Sequence, residues 1–80
     1  MSEHARLKWL CRRGMKELDV LLEHYLAHEY ERAGDAEKNA FRELLDCQDP
    51  VLWDYVMERE QPGDEGMQHV VRKLVSTLRD

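Results

Sequence analysis

The sequence predicts an all-α fold, a single bundle of five short helices. Three observations carry that expectation. Glycine and proline are scarce, at 4 and 2 of 80 residues, and they fall at widely spaced points along the chain. The stretches between them repeat their apolar residues with a helical period. The composition, 42% hydrophobic and 36% charged, belongs to a folded chain and not to a disordered or fibrous one. Eighty residues leave room for one small core and none for two lobes with a cleft, so residues 1–80 are expected to form one helical domain.

Helices are expected at about 3–12, 15–32, 36–46, 50–60 and 65–79. The first carries Ala5, Leu7, Trp9, Leu10 and Cys11 without a clean stripe, and Arg12-Arg13-Gly14 ends it. In the second, Met15, Leu18, Leu21, Leu22, Tyr25 and Leu26 share one face. Val20 points away from that face with Lys16, Glu17, His24, Ala27 and Glu31, giving a second face that is either covered by a neighbour or offered to another molecule. Gly34 is expected to stop this helix in a left-handed conformation, and Asp35 to cap the next, whose apolar residues are Ala40, Phe41, Leu44 and Leu45.

Asp49-Pro50 reads as a cap followed by proline at the first helical position, where its missing N–H costs nothing. Val51, Leu52, Tyr55 and Val56 then form a face, with Trp53 and Met57 to its flank. In the last helix Asp64 is the expected cap, Met67, Val70, Val71, Leu74 and Leu78 make the stripe, and Arg72, Lys73 and Arg79 suit the C-terminal half. The expected core is Met15, Leu18, Leu22, Tyr25, Leu26, Phe41, Leu44, Leu45, Leu52, Val56, Val70, Val71, Leu74 and Leu78.

Charge divides the chain unevenly. Residues 1–16 hold Arg6, Lys8, Arg12, Arg13 and Lys16 against Glu3, a net +4, while residues 17–80 carry a net −9. An acidic body repels phosphate, so the pattern suits a protein partner better than a nucleic-acid backbone. No apolar run is long enough to span a bilayer, and the N-terminus lacks the plan of a secretory signal, so the expected location is cytoplasmic without membrane insertion. Cys11 and Cys47, 36 positions apart, suggest neither a disulfide scaffold nor a metal site and read as core or semi-buried thiols.

Groups suited to catalysis are few. His24 and His28 stand one helical turn apart, but the sequence offers no HExxH pattern around them, and solvated or capping histidines are the better reading. Neither cysteine is flanked by the small residues that expose a reactive thiol, and no glycine-rich phosphate loop follows a strand. An enzyme is not expected.

The stretch Arg12-Arg13-Gly14-Met15-Lys16-Glu17-Leu18-Asp19 stands apart from the rest. Arginines end one helix, glycine makes a bare bend, and carboxylates return in the first turn of the next. Helix punctuation accounts for such a pattern. So does a recognition corner, at which glycine admits a partner to the backbone and the charges fix its orientation.

The residues Trp9 to Asp19, then His28-Glu29-Tyr30, then Asp46-Cys47-Gln48-Asp49-Pro50-Val51-Leu52-Trp53 resemble the small flavinylation factor family of succinate dehydrogenase and fumarate reductase. Its Arg-Gly-x-x-Glu motif is met by Arg13, Gly14 and Glu17, and the resemblance runs from about residue 6 to 75. It implies an assembly factor that binds the flavoprotein subunit of these complexes and promotes covalent attachment of FAD to that subunit. The factor itself would hold no cofactor stably, because the groups that deprotonate the flavin and stabilise its charge belong to the flavoprotein. Its contribution would be positional. On this resemblance Gly14 admits close backbone contact, Arg13 offers a charged fork to carboxylate or carbonyl groups, and Glu17 hydrogen-bonds the partner. Arg12, Lys16 and Asp19 steer at the rim, with Trp9 as an apolar anchor or, equally, a core residue. A monomer is expected. The runner-up is an antitoxin-like or nucleic-acid-binding regulatory module, suggested by the Arg-rich first helix and opposed by the acidic remainder; a direct FAD carrier is weaker still for want of a dinucleotide fold.

Overall fold

In the computed structural model, which describes residues 2–79, the chain forms helices α1 (Glu3–Leu10), α2 (Lys16–His28), α3 (Asp35–Leu45), α4 (Asp49–Val56) and α5 (Glu65–Arg79), with a 3₁₀ turn at Tyr30–Arg32. Met1, Asp80 and the side chain of Arg79, expected at the C-terminal end of the last helix, lie outside the described residues. There is no strand among the described residues, and the fold is all-α as the sequence predicts.

Most helix ends fall short of the sequence expectation, each for a local reason. α1 stops at Leu10 because the Cys11 N–H is shared between the Leu7 and Lys8 carbonyls and the Arg12 N–H returns to Trp9, tightening the last turn. α2 ends at His28, where Arg32 folds back and donates from Nη2 to the His28 carbonyl at 2.7 Å, satisfying an orphan acceptor. Gly34 is not left-handed: at φ −74° it is the extended N-cap of α3, and Asp35, expected as the cap, is the first helical residue. Likewise Gln48 occupies the cap of α4 and Asp49 its first turn. α4 closes at Val56 instead of 60 because Glu58 adopts φ +62°. Its N–H bonds the Tyr55 carbonyl and that of Arg59 bonds Asp54, which is the Schellman closure with glutamate where glycine is usual. Asp64 does cap α5, its Oδ2 accepting from the Met67 N–H at 3.0 Å.

The core forms where α5 packs on α3, α2 and α4. Leu18, Leu22, Phe41, Leu44, Leu52, Val70 and Leu74 are buried at its centre, and the Tyr25 ring stacks on Phe41 with centroids 4.5 Å apart. Gly66 lies at the α3–α5 contact, where a Cβ would stand 3.0 Å from the capping Asp64 Oδ2 and 3.4 Å from the Ala40 Cβ. Two expected core residues leave the list. Met15 is only half-buried, and Leu78 is 46% exposed, because at that level α2 presents its first turn, with Lys16, Glu17 and Val20, instead of its core stripe. Leu7, Cys11, Leu21, Tyr30, Ala40 and Val75 are buried in addition to the expected core.

A polar seam ties the same helices together at the edge of the core. Glu37 of α3 accepts from the Tyr25 hydroxyl at 2.6 Å and from Lys73 Nζ at 2.9 Å, and its other oxygen lies 3.1 Å from His69 Nε2. Burial alone would raise the Glu37 pKa, but the hydrogen bonds from Tyr25 and Lys73 and the Lys73 charge outweigh it and hold the carboxyl below its ordinary 4.5. Above that value the seam contributes fully to stability. As pH falls through it the unfolded chain takes up its proton first, and the contribution disappears as Glu37 itself protonates at lower pH. Thermal melts from about pH 6 down to about pH 3 should show the native chain losing Tm more steeply in acid than Glu37→Gln; parallel curves would remove Glu37 from the acid response.

Candidate partner-binding site

The five-residue link between α1 and α2, residues 11–15, holds the Arg-Gly pair of the motif. Gly14 adopts φ +85°, and a Cβ built on it would meet nothing within 4 Å. The bend therefore needs glycine for its backbone conformation and not for space, and its surface is open to solvent. Residues with a side chain would cost about 1–2 kcal/mol there.

Arg13 behaves differently from the sequence expectation. Its side chain is only 14% exposed and turns inward. Nη1 donates to the Cys47 carbonyl at 3.0 Å and lies 3.6 Å from Asp49 Oδ1, while Nη2 donates to the Leu45 carbonyl at the end of α3. The fork that the resemblance offers to a partner is thus filled by the chain's own carbonyls and carboxylate. The physical reason is the α3–α4 turn, which leaves those two carbonyls without helical donors. Asp19 is also directed inward: its Oδ1 accepts from the Arg13 backbone N–H at 2.6 Å, joining the start of α2 to the link. Together these contacts fix both sides of Gly14.

The remaining expected residues face outward in two groups. Trp9, 62% exposed, is no core residue, and with Arg12, Lys8 and Ala5 it lines a shallow depression along α1. Lys16 and Glu17 line a second depression with Val20, Leu21 and Leu78. Among the described residues neither Lys16 nor Glu17 makes a side-chain hydrogen bond or ion pair with the rest of the chain. The sequence reading did not anticipate Asp49 or the Leu45 and Cys47 carbonyls as anchors of the corner. The one available signal was that Asp46-Cys47-Gln48-Asp49 and the Arg-Gly stretch carried the same resemblance, and the structure brings these two segments together.

No group of three or more His, Cys, Asp or Glu side chains among the described residues converges as a metal site, although the His24 and His28 rings stand 4.5 Å apart. Burial pushes the Cys11 thiol up to about 12, which keeps it protonated and unreactive near neutrality. Burial also raises the Cys47 thiol above its ordinary value, the nearby Arg13 charge only partly offsetting it. No described helix is long and apolar enough to cross a membrane.

Comparison with known proteins identifies the family. A family profile described as "Flavinator of succinate dehydrogenase" matches residues 5–78. A FAD assembly factor SdhE from Serratia sp. (strain ATCC 39006) is 41% identical over 77 residues, 96% of this chain and 86% of the relative. Its namesake from Yersinia pestis is 40% identical over 76 residues, covering 95% and 86%. That from Idiomarina loihiensis is 35% identical over 79 residues, covering 99% and 88%. With a profile that spans nearly the whole chain and relatives 35–41% identical over almost all of it, the protein belongs to the family of succinate dehydrogenase flavinators.

Proposed function

We propose that this chain is an assembly factor that binds the flavoprotein subunit of succinate dehydrogenase, or of fumarate reductase, and promotes covalent FAD attachment there by positioning, without catalysing the bond itself. It works in the cytoplasm as a monomer, holds no FAD stably and binds no nucleic acid. The observation that carries this reading is the exposed Gly14 bend, held open at φ +85° and followed one turn later by a Glu17 carboxylate with no partner among the described residues. An exposed bend fixed on both sides, beside a carboxylate without a partner among the described residues, is suited to receive a protein surface, and a preset corner lowers the ordering cost of docking. Seated against the immature subunit, it keeps the acceptor side chain and the flavin in one geometry, an orientation effect that needs no reacting group from the factor.

The residues then divide by role. Gly14 and Glu17 contact the client, Arg12, Lys16 and Trp9 lie at its rim, and Arg13 and Asp19 position the corner from behind. Two outcomes check this division. Gly14→Arg should reduce capture of the flavoprotein subunit by about tenfold or more, and its in-gel flavin fluorescence with it, whereas Gly14→Ala, which bears the same backbone cost without the bulk, should retain both. Equal capture by all three proteins would remove the corner from the interface.

Denaturant unfolding separates the two acidic and basic ends of the motif. Arg13→Met should lower stability by roughly 2–3 kcal/mol, since the Leu45 and Cys47 carbonyls and Asp49 lose their donor. Glu17→Ala should leave stability within about 0.5 kcal/mol and still lose capture. A destabilised Glu17→Ala with an unaffected Arg13→Met would reverse the assignment.

A further inference from the structure

The depression beside Glu17 has a composition that the proposed role does not use. Val20 and Leu78 are 56% and 46% exposed, from different helices, and they meet over Leu21 with Lys16 and Glu17 at the edge. Val20 lies one turn beyond Glu17 on α2, so the two side chains are neighbours on the same helical face. No other element of the described chain covers them. An apolar centre edged by charge is the arrangement in which a few side chains carry most of the affinity of a protein interface.

We infer that the Val20–Leu78 patch is the apolar centre of the client interface, receiving an aliphatic side chain of the flavoprotein subunit that is flanked by a basic group for Glu17. This deepens the proposed function and rests on it. A partner seated on Glu17 reaches the patch within a single helical turn. Net charge disfavours a second copy of the chain as the occupant. Two copies would each bring a net charge of −5, carried by bodies of net −9 beyond residue 16. Two aliphatic side chains also fall far short of the roughly 1,200 Å² that a stable pair requires, unless a wider interface such as the Gly14 corner surrounds them. A client already seated on the Gly14 corner supplies the wider interface, and an aliphatic side chain set between a basic and an acidic group matches Glu17 and Lys16 while burying the patch.

The test compares four purified proteins against the isolated flavoprotein subunit by titration: native, Val20→Glu, Leu78→Glu and Gly14→Arg, with Val20→Leu as a conservative control. Circular dichroism and Tm should be unchanged in the two glutamate variants, because both positions are exposed. Their affinity for the client should fall by about tenfold or more, since a carboxylate would be buried without a donor, while Val20→Leu retains it. Loss on Gly14→Arg with full binding by both glutamate variants would overturn the patch and leave the corner standing. Full binding by all the variants would overturn both. A native dimer dissolved by Val20→Glu, with client affinity unchanged, would make the patch a self-association surface and overturn the inference.

Discussion

The inward turn of Arg13 is the constraint on which the presentation of this molecule's surface depends. One guanidinium binds the carbonyls of Leu45 and Cys47 and pairs with Asp49, so the link between α1 and α2 is tied to the link between α3 and α4. A charged group taken out of water is held there by acceptors that themselves lacked donors, and both sides of the exchange lose if either is removed. The Asp19 carboxylate completes the frame by holding the Arg13 N–H. Gly14 is left between two fixed points with its left-handed backbone facing solvent.

That frame explains why residues so close in sequence have opposite destinations. Arg12 and Lys16 extend into water, Arg13 and Asp19 face inward, and Glu17 returns to the surface. A motif read only as a string suggests that all its charges act alike. In the folded chain Arg13 sets the geometry, while Arg12, Lys16 and Glu17 are left in solvent. Assistance by positioning asks for this division, because a corner that had to be ordered on docking would lose part of its binding free energy to that ordering.

Much of the fold was legible in the sequence, because the helical stripes are strong where the helices are long. Val70, Val71 and Leu74 in α5 and Leu18, Leu22 and Tyr25 in α2 are buried as their spacing requires. The ends were harder to read. Glu58 at φ +62° closes α4 with a residue that carries no turn signature, and Gly34 serves as an extended cap although its type suggested a left-handed stop. Leu78 continues the stripe of α5 by spacing, yet burial depends on what the neighbouring helix presents at that level, which periodicity within one helix does not contain. The same holds for the site. Glycine beside arginine marked the corner, but the direction of Arg13 was set by acceptors 32 to 34 positions away in the chain.

Amide hydrogen exchange of the chain, alone and with the flavoprotein subunit, measures the central idea most directly. The N–H groups at the start of α2 have no helical acceptor and lie beside the Gly14 bend, so they exchange rapidly until something covers them. Slowed exchange across residues 12–20 on complex formation is the expected result. Protection confined to residues 55–75, at the opposite end of the chain, with the Gly14 segment exchanging as fast as before, would contradict it.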